Sequence, residues 1–190
     1  DLLTMASGNL PLGAHGELYA FGGYSHRLGN GEGYRRYADD GRNWKQIYPL
    51  GFLPEFRPIV TDYSMAGGWK GVANGWNLGA GASFGHNGFR YDLRNTLNAS
   101  LGPSLVNPTA PGPDGIPGNS DDPGIPNQTS FFAGELHRDE FVADLDGSRE
   151  LELGLPAPVN VALGASWRRE RWVVLPGELA SYVDGGHLDQ

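Results

Sequence analysis

The chain has 190 residues, with 14 Lys and Arg against 22 Asp and Glu, a formal net charge of −8 at pH 7 and no cysteine. The acidic balance excludes a basic nucleic-acid-binding stripe, and the lack of cysteine excludes disulfides and thiolate metal sites. The 30 glycines and 14 prolines, without a collagen-like period, exclude a helical or fibrous protein, and no apolar run approaches the roughly 20 residues of a membrane-spanning helix.

The N-terminal run Asp1-Leu2-Leu3-Thr4-Met5 lacks the basic region and apolar core of a signal peptide. It does not begin with methionine, which points to a segment taken from a longer chain, and the end of a strand is expected before Pro11. Residues 17–26 have strand character with mixed faces. A long loop over 27–58 then carries mixed charges and aromatics, with Arg35, Arg36, Tyr37, Asp39, Asp40 and Trp44 as candidates for gripping a small ligand. The plainer alternative is a solvated surface loop.

The next strand, 59–70, places Ile59, Tyr63, Met65 and Trp69 on one face and Asp62, Ser64, Gly68 and Lys70 on the other, because side chains two apart point the same way. A short turn over 71–75 leads into a strand over 76–98. There Trp76, Leu78, Ala80, Ala82 and Phe84 oppose Asn77, Gly79, Gly81, Ser83 and Gly85. The apolar positions then move from even to odd at Phe89, Tyr91 and Leu93. Either a bulge near Gly85 and Gly88 absorbs a slip, or the pattern lapses where the strand leaves a membrane.

A second long loop, 100–129, holds Asp114, Asn119, Asp121 and Asp122 among Pro and Gly. Such closely spaced oxygen ligands are a candidate for calcium, and Pro, Gly and Asp are equally the vocabulary of turns. The strand 131–153 sets Phe141, Ala143, Leu145, Leu151 and Leu153 against Asp144, Asp146, Glu150 and Glu152, with Arg149 intruding on the apolar face. After the short connection 154–158, the strand 159–174 sets Val159, Val161, Leu163, Ala165 and Trp167 against Asn160, Gly164, Ser166 and Arg168. Arg169 and Arg171 follow on the apolar register, where they are candidates for lipopolysaccharide phosphates; ordinary charge near a strand end is the alternative.

Long loops alternating with short ones, joined by strands whose clean runs are about 9–11 residues, are the pattern of a transmembrane β-barrel. The fold class expected is all-β: an antiparallel transmembrane β-barrel segment with long extracellular loops and short periplasmic turns. A soluble β-sandwich also alternates. The small or charged second face and the position of Trp69, Trp76 and Trp167 at the ends of apolar faces favour the membrane. The five histidines, His15, His26, His86, His137 and His187, show no metal spacing, and no GxSxG elbow is present, so no enzyme is expected.

The words of the sequence also resemble a family. Glu17-Leu18-Tyr19-Ala20-Phe21-Gly22-Gly23-Tyr24-Ser25-His26-Arg27 resembles a barrel strand of TonB-dependent outer-membrane receptors. Ile47-Tyr48-Pro49-Leu50-Gly51-Phe52-Leu53-Pro54 and Asn95-Thr96-Leu97-Asn98-Ala99-Ser100-Leu101-Gly102-Pro103 are similar to loop segments of that family. So is the run from Leu145-Asp146-Gly147-Ser148-Arg149-Glu150-Leu151 through Val159-Asn160-Val161-Ala162-Leu163-Gly164. The matching pieces extend over 9–186, while 107–126 looks like an insertion. The resemblance implies a slice of a 22-stranded barrel in a Gram-negative outer membrane, in contact with lipid and lipopolysaccharide. It implies uptake of a small nutrient such as a siderophore, vitamin or oligosaccharide. Energy would come from the TonB complex through a plug domain and other parts that have no counterpart in these residues. A soluble carbohydrate-binding sandwich and a passive porin-like barrel stand as alternatives.

Overall fold

The structure, a computed structural model, describes residues 1–102, 104–106, 113, 115–116, 124–126 and 128–186. The strands are β1 (Leu2–Pro11), β2 (Glu17–Leu28), β3 (Gly31–Glu32), β4 (Glu55–Ala73), β5 (Trp76–Arg94), β6 (Ser104–Val106), β7 (Gly124–Pro126), β8 (Phe131–Leu151) and β9 (Val159–Pro176). Three 3-10 turns, Gly13–His15, Ala99–Leu101 and Leu179–Ser181, are the only helical elements among the described residues. The fold is all-β and nearly all antiparallel. One sheet holds the long strands in the order β1-β2-β4-β5-β8-β9, with β3 paired to β4; β6 and β7 form a separate pair. The Asp114, Asn119, Asp121 and Asp122 candidates for calcium lie outside the described residues.

The chain forms two compact units. One, the strand unit, comprises Asp1–Arg27, Val60–Phe89 and Leu136–Val174; the other, the loop unit, comprises Leu28–Ile59, Arg90–Glu135 and Leu175–Gln190.

In the strand unit, β1 is a full strand, in register from Leu2 opposite His26 to Pro11 opposite Glu17. Connections between neighbouring strands are tight for local reasons. Gly16 sits at φ 97, and a β-carbon there would collide with the Lys70 carbonyl. The turn after β4 is only Asn74-Gly75, with φ 51 and 78. Both residues are left-handed, the backbone of a type I′ hairpin that Asn-Gly favours because its twist matches that of the strands. Residues 71–73, read as turn from the sequence, belong to β4. Carrying the register up from this turn pairs Tyr63 with His86, whose rings stack at 4.6 Å, and Asp62 with Asn87, which are hydrogen-bonded. No residue slips between the turn and Asn87, so the bulge expected near Gly85 and Gly88 is not needed there.

The loop unit contains Phe52 and Phe131, the only buried hydrophobic residues among those described, each 5% exposed. Its ordered loops are fastened by side-chain-to-backbone hydrogen bonds. Trp44 donates its indole N–H to the Ala99 carbonyl at 2.8 Å. The Asn98 amide donates to the Ala180 and Val183 carbonyls at 3.0 and 2.9 Å, and the buried Ser100 hydroxyl bonds Asn98 and Val183. Loop backbone needs such partners because an unpaired buried amide or carbonyl costs as much as a lost hydrogen bond. The strand expected over 76–98 ends at Arg94, where Asn95 turns left-handed at φ 48.

Candidate functional site

The two faces of the strand unit differ in chemistry. On one, Tyr63 meets Phe84 and His86, His86 meets His137, and Phe141 meets Trp167. By alternation this face also carries Met65, Leu145 and Leu163. These side chains have no second layer to pack on: Met65 is 66% exposed, Leu145 62%, Leu163 70% and Trp167 57%. No buried hydrophobic side chain is found in this unit among the described residues.

The opposite face is built from ions and small residues. Arg27 pairs with Asp62 at 2.7 Å, and Lys70 with Glu17 at 2.8 Å. Arg138 and Arg168 share Glu140 and Glu170: Arg138 reaches both carboxylates at 2.7 Å, and Arg168 reaches Glu140 at 2.6 Å and also bonds Glu170. Each arginine stands two residues from a glutamate of its own strand, so alternation puts each pair on one face, and the pairing of β8 with β9 joins the two pairs. The Arg-x-Glu spacing at 138–140 and 168–170 is the one local signal of this cluster in the sequence. Asp144 and Asp146 fall on this same face. The carboxylate of Asp146 lies 2.5 Å from where a Gly79 β-carbon would be, and that of Asp144 3.1 Å from the corresponding point on Gly81. Arg149 reaches toward the Asn74-Gly75 turn, its guanidinium 3.4–3.6 Å from the position of a Gly75 β-carbon. A long stem thus takes the charge off the apolar face to the sheet end. On β9, Arg169 and Arg171 are exposed on the same register as Trp167, without an ion-pair partner among the described residues.

The candidate ligand loop is in the loop unit. Arg36 and Phe52 exchange backbone hydrogen bonds of 2.8 and 2.9 Å, closing a small ladder, and Phe52 stacks on Tyr48 at 4.6 Å. Arg36 and Arg42 both approach Asp40, at 3.6 and 3.8 Å; Asp40 is held in turn by the Arg42 backbone N–H at 2.8 Å. Arg35 reaches the Leu50 carbonyl at 3.4 Å, Tyr37 is 66% exposed, and Asp39 is exposed. Trp44 is engaged in fastening the loop to Ala99. A cavity of about 400 Å³ opens here, lined by Arg36, Arg42, Phe52, Phe56, Leu97 and Phe131 among others. Of the six loop candidates, only Arg36 lines it. Phe52, Leu97 and Phe131 come from segments far apart in the chain, and no local pattern would have joined them. Burial raises the Tyr48 phenol above its ordinary pKa, with a hydrogen bond to Thr129 acting in the opposite direction.

Among the described residues, no group of three or more His, Asp or Glu side chains is arranged to hold a metal, and no helix is long and apolar enough to cross a membrane, which says nothing of a β-barrel. Comparison with protein families, characterised proteins and solved structures finds no match to this chain.

Proposed function

We propose that this chain is a wall-and-loop segment of an outer-membrane β-barrel of the TonB-dependent receptor type, serving active uptake of a small nutrient. The observation that carries the membrane part is the uncovered apolar face of the strand unit, backed by an opposite face of ion pairs and glycines. A soluble sheet needs a second layer over its apolar face, whereas lipid supplies that cover for a barrel strand and water wets the other side.

Strand length supports the same reading. At about 3.3 Å per residue, the parts of β4 and β5 inside the strand unit, 60–73 and 76–89, each extend for roughly 46 Å, more than the hydrocarbon thickness of about 30 Å. Strands that project beyond the bilayer need not alternate along their whole length, which accounts for Phe89, Tyr91 and Leu93 leaving the pattern. The TonB-dependent assignment rests on the sequence resemblance. In this reading the ion-pair face lines the lumen, Arg169 and Arg171 meet lipopolysaccharide phosphates above the aromatic girdle, and energy coupling belongs to parts outside these residues.

The test is folding with and without detergent. Two edge strands and a greasy face predict aggregation of the chain in buffer, with a strand-rich, protease-resistant species in detergent or liposomes. A monomer that melts cooperatively in buffer without detergent removes the proposal.

A further inference from the structure

We infer that the cavity of the loop unit is a binding site for a small aromatic carboxylate, its flat apolar body seated among phenylalanines and its charge held by Arg36 and Arg42. The inference stands on the loop unit alone and is independent of whether the strands cross a membrane.

The cavity has the size of a small-molecule site. Its volume is about 400 Å³, inside the usual range for ligand pockets, and Thr96, Asn98 and Ser181 line it beside the aromatic residues. Phe52 and Phe131 are buried, and Phe56 is held in place by stacking on Tyr91 at 5.8 Å. This wall is therefore preformed, and phenyl rings pack most readily with an aromatic guest.

Charge decides the polar end of the guest. Arg36 and Arg42 lie beyond hydrogen-bond length from Asp40, at 3.6 and 3.8 Å, so neither guanidinium is committed to it in a bidentate pair. Two cations facing one carboxylate leave a single net positive charge. The Arg36 side chain is only 27% exposed, whereas that of Arg42 is 66% exposed. Arg36 thus stands at the wall and Arg42 at the entrance. Guanidinium matches the planar geometry of a carboxylate, and a monoanion balances the site, whereas a phosphate dianion would exceed its charge.

The probes are 2-naphthoate and its neutral analogue 2-naphthamide, titrated calorimetrically into the full chain held strand-rich in detergent, with detergent alone as blank. Naphthoate is expected to bind, and the double variant Arg36→Gln with Arg42→Gln to weaken it by about tenfold to a hundredfold, the range of charge-assisted hydrogen bonds. Naphthamide should be unaffected by that change. Asp40→Asn keeps the oxygen that accepts from the Arg42 backbone and removes the competing charge, so it should tighten naphthoate severalfold. A merely structural arginine would not produce that gain. Should the double variant lose its strand signal, Arg42→Gln alone, at a mostly exposed side chain, gives the reading. Equal binding of acid and amide, equal binding of acid by all variants, or no naphthoate binding to the strand-rich parent at millimolar probe overturns the inference. None of these outcomes touches the detergent requirement on which the barrel proposal is tested.

Discussion

Tyr19 lies across the ion-bearing face of the sheet so that its hydroxyl stands 3.0 Å from the point where a β-carbon on Gly81 would sit, with the Asp144 carboxylate 3.1 Å from the same point. Glycine at 81 is therefore space for a side chain from another strand. Gly81→Val should cost about 1–3 kcal/mol through overpacking, read by denaturant unfolding in detergent. In a Tyr19→Ala background the cost should shrink, because the obstructing ring is gone, and the difference is the coupling between the two positions. Strictly additive effects would show that the ring does not occupy this space.

The Asn74-Gly75 turn makes a sharper local prediction. Gly75 has φ 78, a conformation that costs an L-residue roughly 1–2 kcal/mol. Gly75→Ala should lower stability by about that amount, whereas Asn74→Gly, at φ 51, should be nearly neutral because glycine adopts the same conformation freely. Equal losses at both positions would contradict the type I′ geometry.

These two sites show what sequence could and could not reveal. The alternation of Tyr63, Met65 and Trp69 against Asp62, Ser64 and Lys70 was legible because a strand writes its two faces at period two. The Asn-Gly pair was an equally plain turn signal, yet the glycine at 71 drew the turn three residues too early. Side-chain neighbours across strands were not legible: His86 meets Asp139 at 2.6 Å across 53 positions, and nothing local to either residue announces the other. The same holds for the cavity, where Arg36 could be singled out as a loop cation while the apolar wall opposite came from segments on either side of the second long loop.

Tyr48 provides a pH test of the loop unit. Burial raises its pKa above the ordinary value, so the folded state holds the phenolic proton more tightly than the unfolded state. The stabilisation is fully present below the unfolded pKa of about 10 and is lost as pH rises through the higher folded value. Fluorescence of Trp44, which is tied to Ala99, should report this alkaline loosening. Tyr48→Phe should flatten it, at the cost of the hydroxyl's bonds to the Thr96 carbonyl, long at 3.4 Å, and to Thr129. An unchanged alkaline midpoint in the variant would assign the transition to another group.

Leu163 tests most directly whether the apolar face of the sheet meets lipid or water. It is 70% exposed on the apolar face of β9, and Ser166, on the same strand, points to the other face by alternation. With this face left open to water, Leu163→Arg would change stability by no more than about 0.5 kcal/mol. Against lipid the same substitution costs about 2–4 kcal/mol near the bilayer midplane, because the guanidinium must leave water or drag it in. Ser166→Arg is the control, since a charge on the wet face joins Arg168 and its carboxylates without meeting lipid. Unfolding from liposomes should therefore show a large loss for the first substitution and a small one for the second. Small and equal losses would mean that the apolar face of this sheet does not meet hydrocarbon, and another cover for it would have to be sought.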